Sequence, residues 1–234
     1  MRISLLILVF GLITPPVLSQ STWAVPKRDR EIVVDGNLQE WAGVTPLTLS
    51  PEVNGLQRGG TFHDQDVDLQ IRAMWDEDSL YLALNWTDDV WDVQEVTRRD
   101  AVWIDSQKKR RDKMYFFDYF KFHLRDADYD YTLWLSPQNQ DKGPFEWCRL
   151  LEGYRGLERA TASPSISARQ DNGRSTIEML LSWDELRLKP SDIQKIPLTL
   201  IVSDSDDPGR LIESKLEKVK WLAWRGFMDL VGEK

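Results

Sequence analysis

Residues 67–75 read Val-Asp-Leu-Gln-Ile-Arg-Ala-Met-Trp, so Val67, Leu69, Ile71, Ala73 and Trp75 place an apolar side chain at every second position. The acidic turn Asp76-Glu77-Asp78 follows, and residues 79–86 alternate again through Leu80, Leu82, Leu84 and Trp86. Two such runs joined by a short turn predict an antiparallel hairpin with one buried face. That hairpin constrains the chain more than any other feature, because its apolar face has to be covered by a second layer.

The remainder supplies such a layer. Residues 119–125 send Phe120, Phe122 and Leu124 one way and Tyr119, Lys121, His123 and Arg125 the other. Residues 129–135 put Tyr131, Leu133 and Leu135 on the core side and Asp130, Thr132 and Trp134 opposite. Further strands are expected over 175–181, 197–203 and 227–231, with one helical turn, Trp183-Asp184-Glu185-Leu186, after Ser182. No helical period lasts beyond one or two turns, so the reading is an all-β, antiparallel protein. Its expected core includes Leu69, Ile71, Leu80, Leu82, Leu84, Phe120, Phe122, Leu133, Ile177, Leu200 and Val202. Segments 48–62 and 87–117 are long for connections, and loops of that length often carry function.

The chain's 234 residues include 11 Trp, 6 Tyr and 8 Phe, several of them beside polar residues (Glu40-Trp41, Trp91-Asp92, Trp224-Arg225). Most are expected in the core, with some forming an aromatic surface. The net charge of -8 disfavours nucleic acid and anionic membranes as partners, since phosphate contacts need a basic face. The basic run Lys108, Lys109, Arg110, Arg111 and Lys113 is diluted by Asp105, Asp112 and Asp118 and reads as a solvated loop.

Met1-Arg2, an apolar stretch to Ile13, Pro15-Pro16 and Val17-Leu18-Ser19 have the parts of a secretory signal cut after Ser19. The apolar stretch falls short of the roughly 20 residues that span a bilayer. The expected organisation is a signal peptide over 1–19, an N-terminal extension over 20–31 and one domain over 32–234, in a secreted or periplasmic protein. Cys148 is the single cysteine, so no intrachain disulfide is available. Its apolar neighbours Trp147 and Leu150 favour burial. There is no Gly-x-Ser-x-Gly elbow and no His-Glu-x-x-His, and only two histidines, His63 and His123, occur. Catalysis is not expected.

The opening Val33-Val34-Asp35-Gly36-Asn37-Leu38-Gln39-Glu40-Trp41 resembles the Val-Asp-Gly-x-x-x-Glu-Trp start of the family 9 carbohydrate-binding modules. Residues 75–82, 118–122 and 177–186, and Asp204 after the strand 197–203, follow the same family order, so the resemblance covers about residues 32–231. It implies a two-sheet antiparallel β-sandwich of jelly-roll type in an exported protein that binds carbohydrate and is often partnered with glycoside hydrolases. Sugar-binding members hold a pyranose between two aromatic rings. By position these fall on Tyr115, where the family usually has Trp, and on Trp221 or Trp224. Lys121 stands where the family has a carboxylate, and Thr132 where alternation would put its arginine; Lys121 and Trp134 share the outer face and could build a different sugar site.

Some members of the family bind structural calcium, and here the run 204–209 offers Asp204, Asp206 and Asp207 as hard oxygen ligands, or forms a plain acidic turn. Two alternatives differ in class. The fold is also similar to a haem b-binding electron-transfer subunit, for which Met114, Lys121 and His123 are the candidate ligands; haem needs a deep apolar slot and two opposed ligands. A sandwich that has lost sugar binding would instead serve as a structural or partner-binding module.

Overall fold

In the computed structural model the hairpin is β3 (Val67–Trp75) and β4 (Ser79–Asp88), paired from Val67 opposite Asp88 to Trp75 opposite Leu80. The structure describes residues 21–54, 67–88, 102–104, 110–112, 118–125, 129–136, 145–152, 158–159, 164–193, 195–204 and 220–232. In chain order the elements are β1 (Ser21–Pro26), a 3-10 turn (Leu38–Trp41), β2 (Leu47–Leu49), α1 (Pro51–Asn54), β3, β4, β5 (Val102–Ile104), β6 (Arg110–Asp112), β7 (Tyr119–Arg125), β8 (Tyr129–Ser136), β9 (Phe145–Glu152), β10 (Glu158–Arg159), β11 (Ser165–Asp171), β12 (Arg174–Ser182), α2 (Trp183–Leu186), β13 (Ile196–Asp204) and β14 (Lys220–Val231).

They form two packed sheets. The first runs β1-β14-β13-β7-β8-β9-β10 and the second β11-β12-β4-β3-β2, while β5 and β6 pair separately. Every pairing is antiparallel except that of β1 with β14. One core lies between the sheets and takes Leu69, Ile71, Leu80, Leu82, Leu84 and Ile177 from the second sheet and Phe120, Phe122, Leu133, Leu200 and Val202 from the first. This is the antiparallel β-sandwich that the alternation and the resemblance predict, with the expected residues inside. Full burial of a large aliphatic side chain contributes about 1.5–3 kcal/mol, so the register is strongly held.

The helical turn is also where the sequence put it. Ser182 caps α2 by accepting from Asp184 N at 3.2 Å. The stretch read as an N-terminal extension behaves differently. Residues 21–26 are a strand of the first sheet, with Trp23 and Val25 in the core. After Pro26 the chain crosses to the second sheet: Lys27 bridges to Trp75, and Arg28 N donates to Trp75 O at 2.8 Å.

Residues 29–44 then cover the outer face of the second sheet. Ile32 and Trp41 join Met74, Tyr81 and Ala83 in a small separate core. The anchor is Glu178 of β12, wholly buried, whose Oε2 accepts from Asp35 N at 2.9 Å and Gly36 N at 2.7 Å and whose Oε1 accepts from Trp41 Nε1 at 2.7 Å. Gly36 has φ +81 and would set a Cβ 2.9 Å from Arg169 Cγ, so glycine is required there. The Asp35-Gly36 and Trp41 positions of the opening motif thus serve the fold.

Candidate functional site

Residues of the 29–44 segment pack on the outer face of the second sheet, and the outer face of the first holds the residues that the sequence singled out. Antiparallel partners share a face, so the register reads out its composition. One row runs Ala223, Ile201, Lys121 and Trp134 across β14, β13, β7 and β8; the next runs Arg225, Thr199, His123 and Thr132. On the other side of the Lys121 row stand Trp221, Ser203 and Tyr119.

The same register separates the two tryptophans that spacing left open. Trp221 pairs with Ser203 and lies on the Lys121 face, whereas Trp224 pairs with Leu200 and packs against the inner core. Lys121 and Trp134 are brought together, with Nζ 5.4 Å from the ring centroid, a cation–π distance. Trp134 is itself only 3% exposed, so it forms floor and support in place of an open platform. Tyr119, Thr132 and Ser203 are buried as well. The accessible part therefore lies towards β13 and β14, where Lys121, His123, Thr199, Ile201, Trp221 and Ala223 are half-buried and Arg225 is exposed. Ser203 Oγ, buried beside Trp221, makes no hydrogen bond. Tyr115 and Met114 lie outside the described residues.

Lys121 and His123 occupy positions i and i+2 of one strand and point the same way, so they cannot act as opposed axial ligands of one iron.

A second cluster sits between the sheets at one end of the core. Asp88 ends β4, Asp118 precedes β7 and Asp204 ends β13; their carboxylate oxygens lie within 4.8 Å of one another, and all three residues are buried. Lys220 Nζ approaches Asp204 Oδ2 at 3.2 Å. Among the described residues these three carboxylates face one ammonium, and buried carboxylates gathered this closely are favourable ligands for a cation. Sequence reasoning singled out Asp204 but missed Asp88 and Asp118, which converge only through strand pairing. Asp206 and Asp207 lie outside the described residues.

A polar cleft of about 530 Å³ is lined by Lys27, Arg28, Asp29, Arg30, Glu31, Asp76 and Glu77. Its charges are mutually engaged: Lys27 with Glu77, Arg28 with Asp76 and Arg30 with Asp29. The first two pairs tie the N-terminal segment to the β3–β4 turn.

The outer face of the first sheet thus carries aromatic and cationic side chains, of which Tyr119 and Trp134 are buried and Lys121, Trp221 and Arg225 are at least partly accessible. The chain belongs to the family described as carbohydrate family 9 binding domain-like, which it matches over residues 34–227. No curated protein matches it significantly. Among solved structures it is similar to a family 9 carbohydrate-binding module from Caldicellulosiruptor kristjanssonii in complex with cellotriose, at 14% identity and TM-score 0.57, covering 92% of this chain and 95% of the other. The corresponding glucose complex gives 14% identity and TM-score 0.51 over 92% and 97% of the two chains. No helix among the described residues is long and apolar enough to cross a membrane.

Proposed function

We propose that this protein is an exported, non-catalytic carbohydrate-binding module whose ligand lies on the outer face of the first sheet, over Trp221, Lys121 and the β13–β14 surface. The observation that carries the reading is the register that puts Trp221 and Lys121 on one face of the first sheet, where both are partly accessible, in a chain of this family. A half-buried indole suits a pyranose, because axial C–H groups pack on a ring while hydroxyls seek charged and polar partners at the rim. Lys121, His123 and Thr199 supply such partners. The Caldicellulosiruptor module solved with cellotriose and with glucose supports the ligand class. Tyr115 is the candidate for the opposing ring and Trp134 for the floor.

Export rests on the leader over 1–19, and a glycoside-hydrolase partner rests on the family's habit. Structural calcium fits the cluster between the sheets: Asp88, Asp118 and Asp204 are hard oxygen donors, and the positions join both sheets, so an ion there would clamp the sandwich. One small site supports affinity in the micromolar to millimolar range. A glycan array followed by calorimetry on the wild type and on Trp221→Ala is the test. Saturable binding that Trp221→Ala weakens at least tenfold supports the site. An absence of binding to any glycan refutes the function.

A further inference from the structure

Every second residue of β14 faces outward on the first sheet, and that stripe reads Trp221, Ala223, Arg225, Phe227 and Asp229. The register with β13 is unbroken from Asp204 opposite Lys220 to Ile196 opposite Met228, so no bulge turns the stripe between its ends. Trp221 and Phe227 therefore share a face at the two ends of a span of about 20 Å along the strand. Trp224, an odd number of positions from each, points to the opposite face and packs against the core.

The side chains between and beside the two rings suit a row of linked sugars. Ala223, next to Trp221 on the stripe, keeps the surface low, and its β13 partner Ile201 continues an apolar floor. Polar groups stand at the edges: Thr199 is the register partner of Arg225, and Thr22 of the edge strand β1 is the partner of Phe227. Phe227 is half-buried like Trp221, and Thr22 and Arg225 are exposed. Apolar surface with a polar rim thus runs the length of one strand.

We infer that the binding face is an extended platform on which a polysaccharide chain lies along β14, one pyranose packed on Trp221 and another on Phe227, with about four linked pyranoses covering the distance. This inference rests on the carbohydrate-binding reading above and narrows its ligand to internal stretches of a long chain in place of a single sugar unit. A lone pyranose reaches one ring at a time. The second ring contributes only when the ligand is long enough to touch both, and its binding is then intramolecular, so affinity depends on chain length. Arg225, exposed between the rings, offers N–H donors to the hydroxyls of the sugars that bridge them.

The test is calorimetry of the full-length mature protein with cello-oligosaccharides from glucose to cellohexaose. Affinity is expected to rise about fivefold between cellobiose and cellopentaose and to level off beyond it. Phe227→Ala should weaken cellohexaose by about fivefold and flatten the dependence on length. Phe227→Tyr, which keeps a ring, should retain it and so separates stacking from folding. Because the variants are compared at fixed chain length, the extra registers open to a longer ligand do not enter. Trp221→Ala should weaken short and long oligomers alike. Should the glycan array return a different polysaccharide, its oligomers replace the cello series and the same comparison applies. Equal affinity at all lengths, or Phe227→Ala binding cellohexaose as tightly as the wild type, overturns the inference while leaving the carbohydrate-binding function intact. An empty glycan array defeats both readings.

Discussion

Trp41 Nε1 donates to Glu178 Oε1 at 2.7 Å across 137 residues of sequence, and this bond pins the N-terminal segment to the second sheet. The other carboxylate oxygen takes the backbone N–H groups of Asp35 and Gly36, and Thr176 Oγ1 donates to Gly36 O at 2.9 Å. A wholly buried carboxylate satisfied by three donors is stable only while all three stay in place.

Glu178→Gln is therefore expected to destabilise by about 2–4 kcal/mol, since the amide places an N–H₂ against N–H donors. For a domain of this size that lowers Tm by roughly 5–15 °C. Trp41→Phe, which keeps the ring and loses the donor, should cost about 1–2 kcal/mol. Thermal melts monitored by circular dichroism check both, and unchanged melting of Glu178→Gln would contradict the anchoring role.

A second relationship predicts a pH effect. Tyr81 OH donates to Asp76 Oδ2 at 3.0 Å, and burial first, then this hydrogen bond, raise the phenol above its ordinary value of 10.0. Because the folded state holds the proton more tightly, the contribution is present in full below about pH 10 and is lost as pH rises through the folded-state value. Tyr81→Phe should cost about 1 kcal/mol at neutral pH. Its stability should also decline less steeply than that of the wild type above pH 10 in paired urea titrations. Parallel decline of the two proteins would show that the phenol does not titrate in this way.

How much of this was readable from the chain depends on distance in sequence. The β3–β4 hairpin, the opposed faces of Phe120 and Lys121 and the Ser182 cap are local patterns, and each stands where alternation or capping chemistry put it. The pairing of β1 with β14 joins residues more than 200 apart, and only two apolar side chains, Trp23 and Val25, hint at it. The choice between Trp221 and Trp224 needed the register of β14, because three positions apart means opposite faces of a strand. The aspartate cluster was invisible for the same reason, being assembled from the ends of three strands.

That register makes the two tryptophans separable by experiment. Trp224→Ala removes a ring from the core side and should destabilise by about 2–4 kcal/mol, with sugar affinity of the folded fraction kept. Trp221→Ala should do the reverse, costing at most about 1 kcal/mol in stability while removing the stacking surface. Melting curves and calorimetry on both variants decide it. Loss of sugar binding in Trp224→Ala with affinity retained in Trp221→Ala would invert the assignment.

The cluster of Asp88, Asp118 and Asp204 gives the last prediction, because three buried carboxylates whose oxygens lie within 4.8 Å of one another form a set of hard ligands that a cation such as calcium would satisfy. If calcium occupies that set, the ion binds only where both sheets are assembled, and its binding free energy adds to folding stability. At a free concentration one hundred times Kd the gain is about 2.7 kcal/mol, which raises Tm by roughly 5–10 °C relative to protein in chelator. Asp118→Asn should weaken this calcium response, because it removes one anionic ligand from the set. Differential scanning calorimetry in calcium and in EDTA, with magnesium as the competing ion, measures the effect. Identical melting in all three would count against a calcium site there.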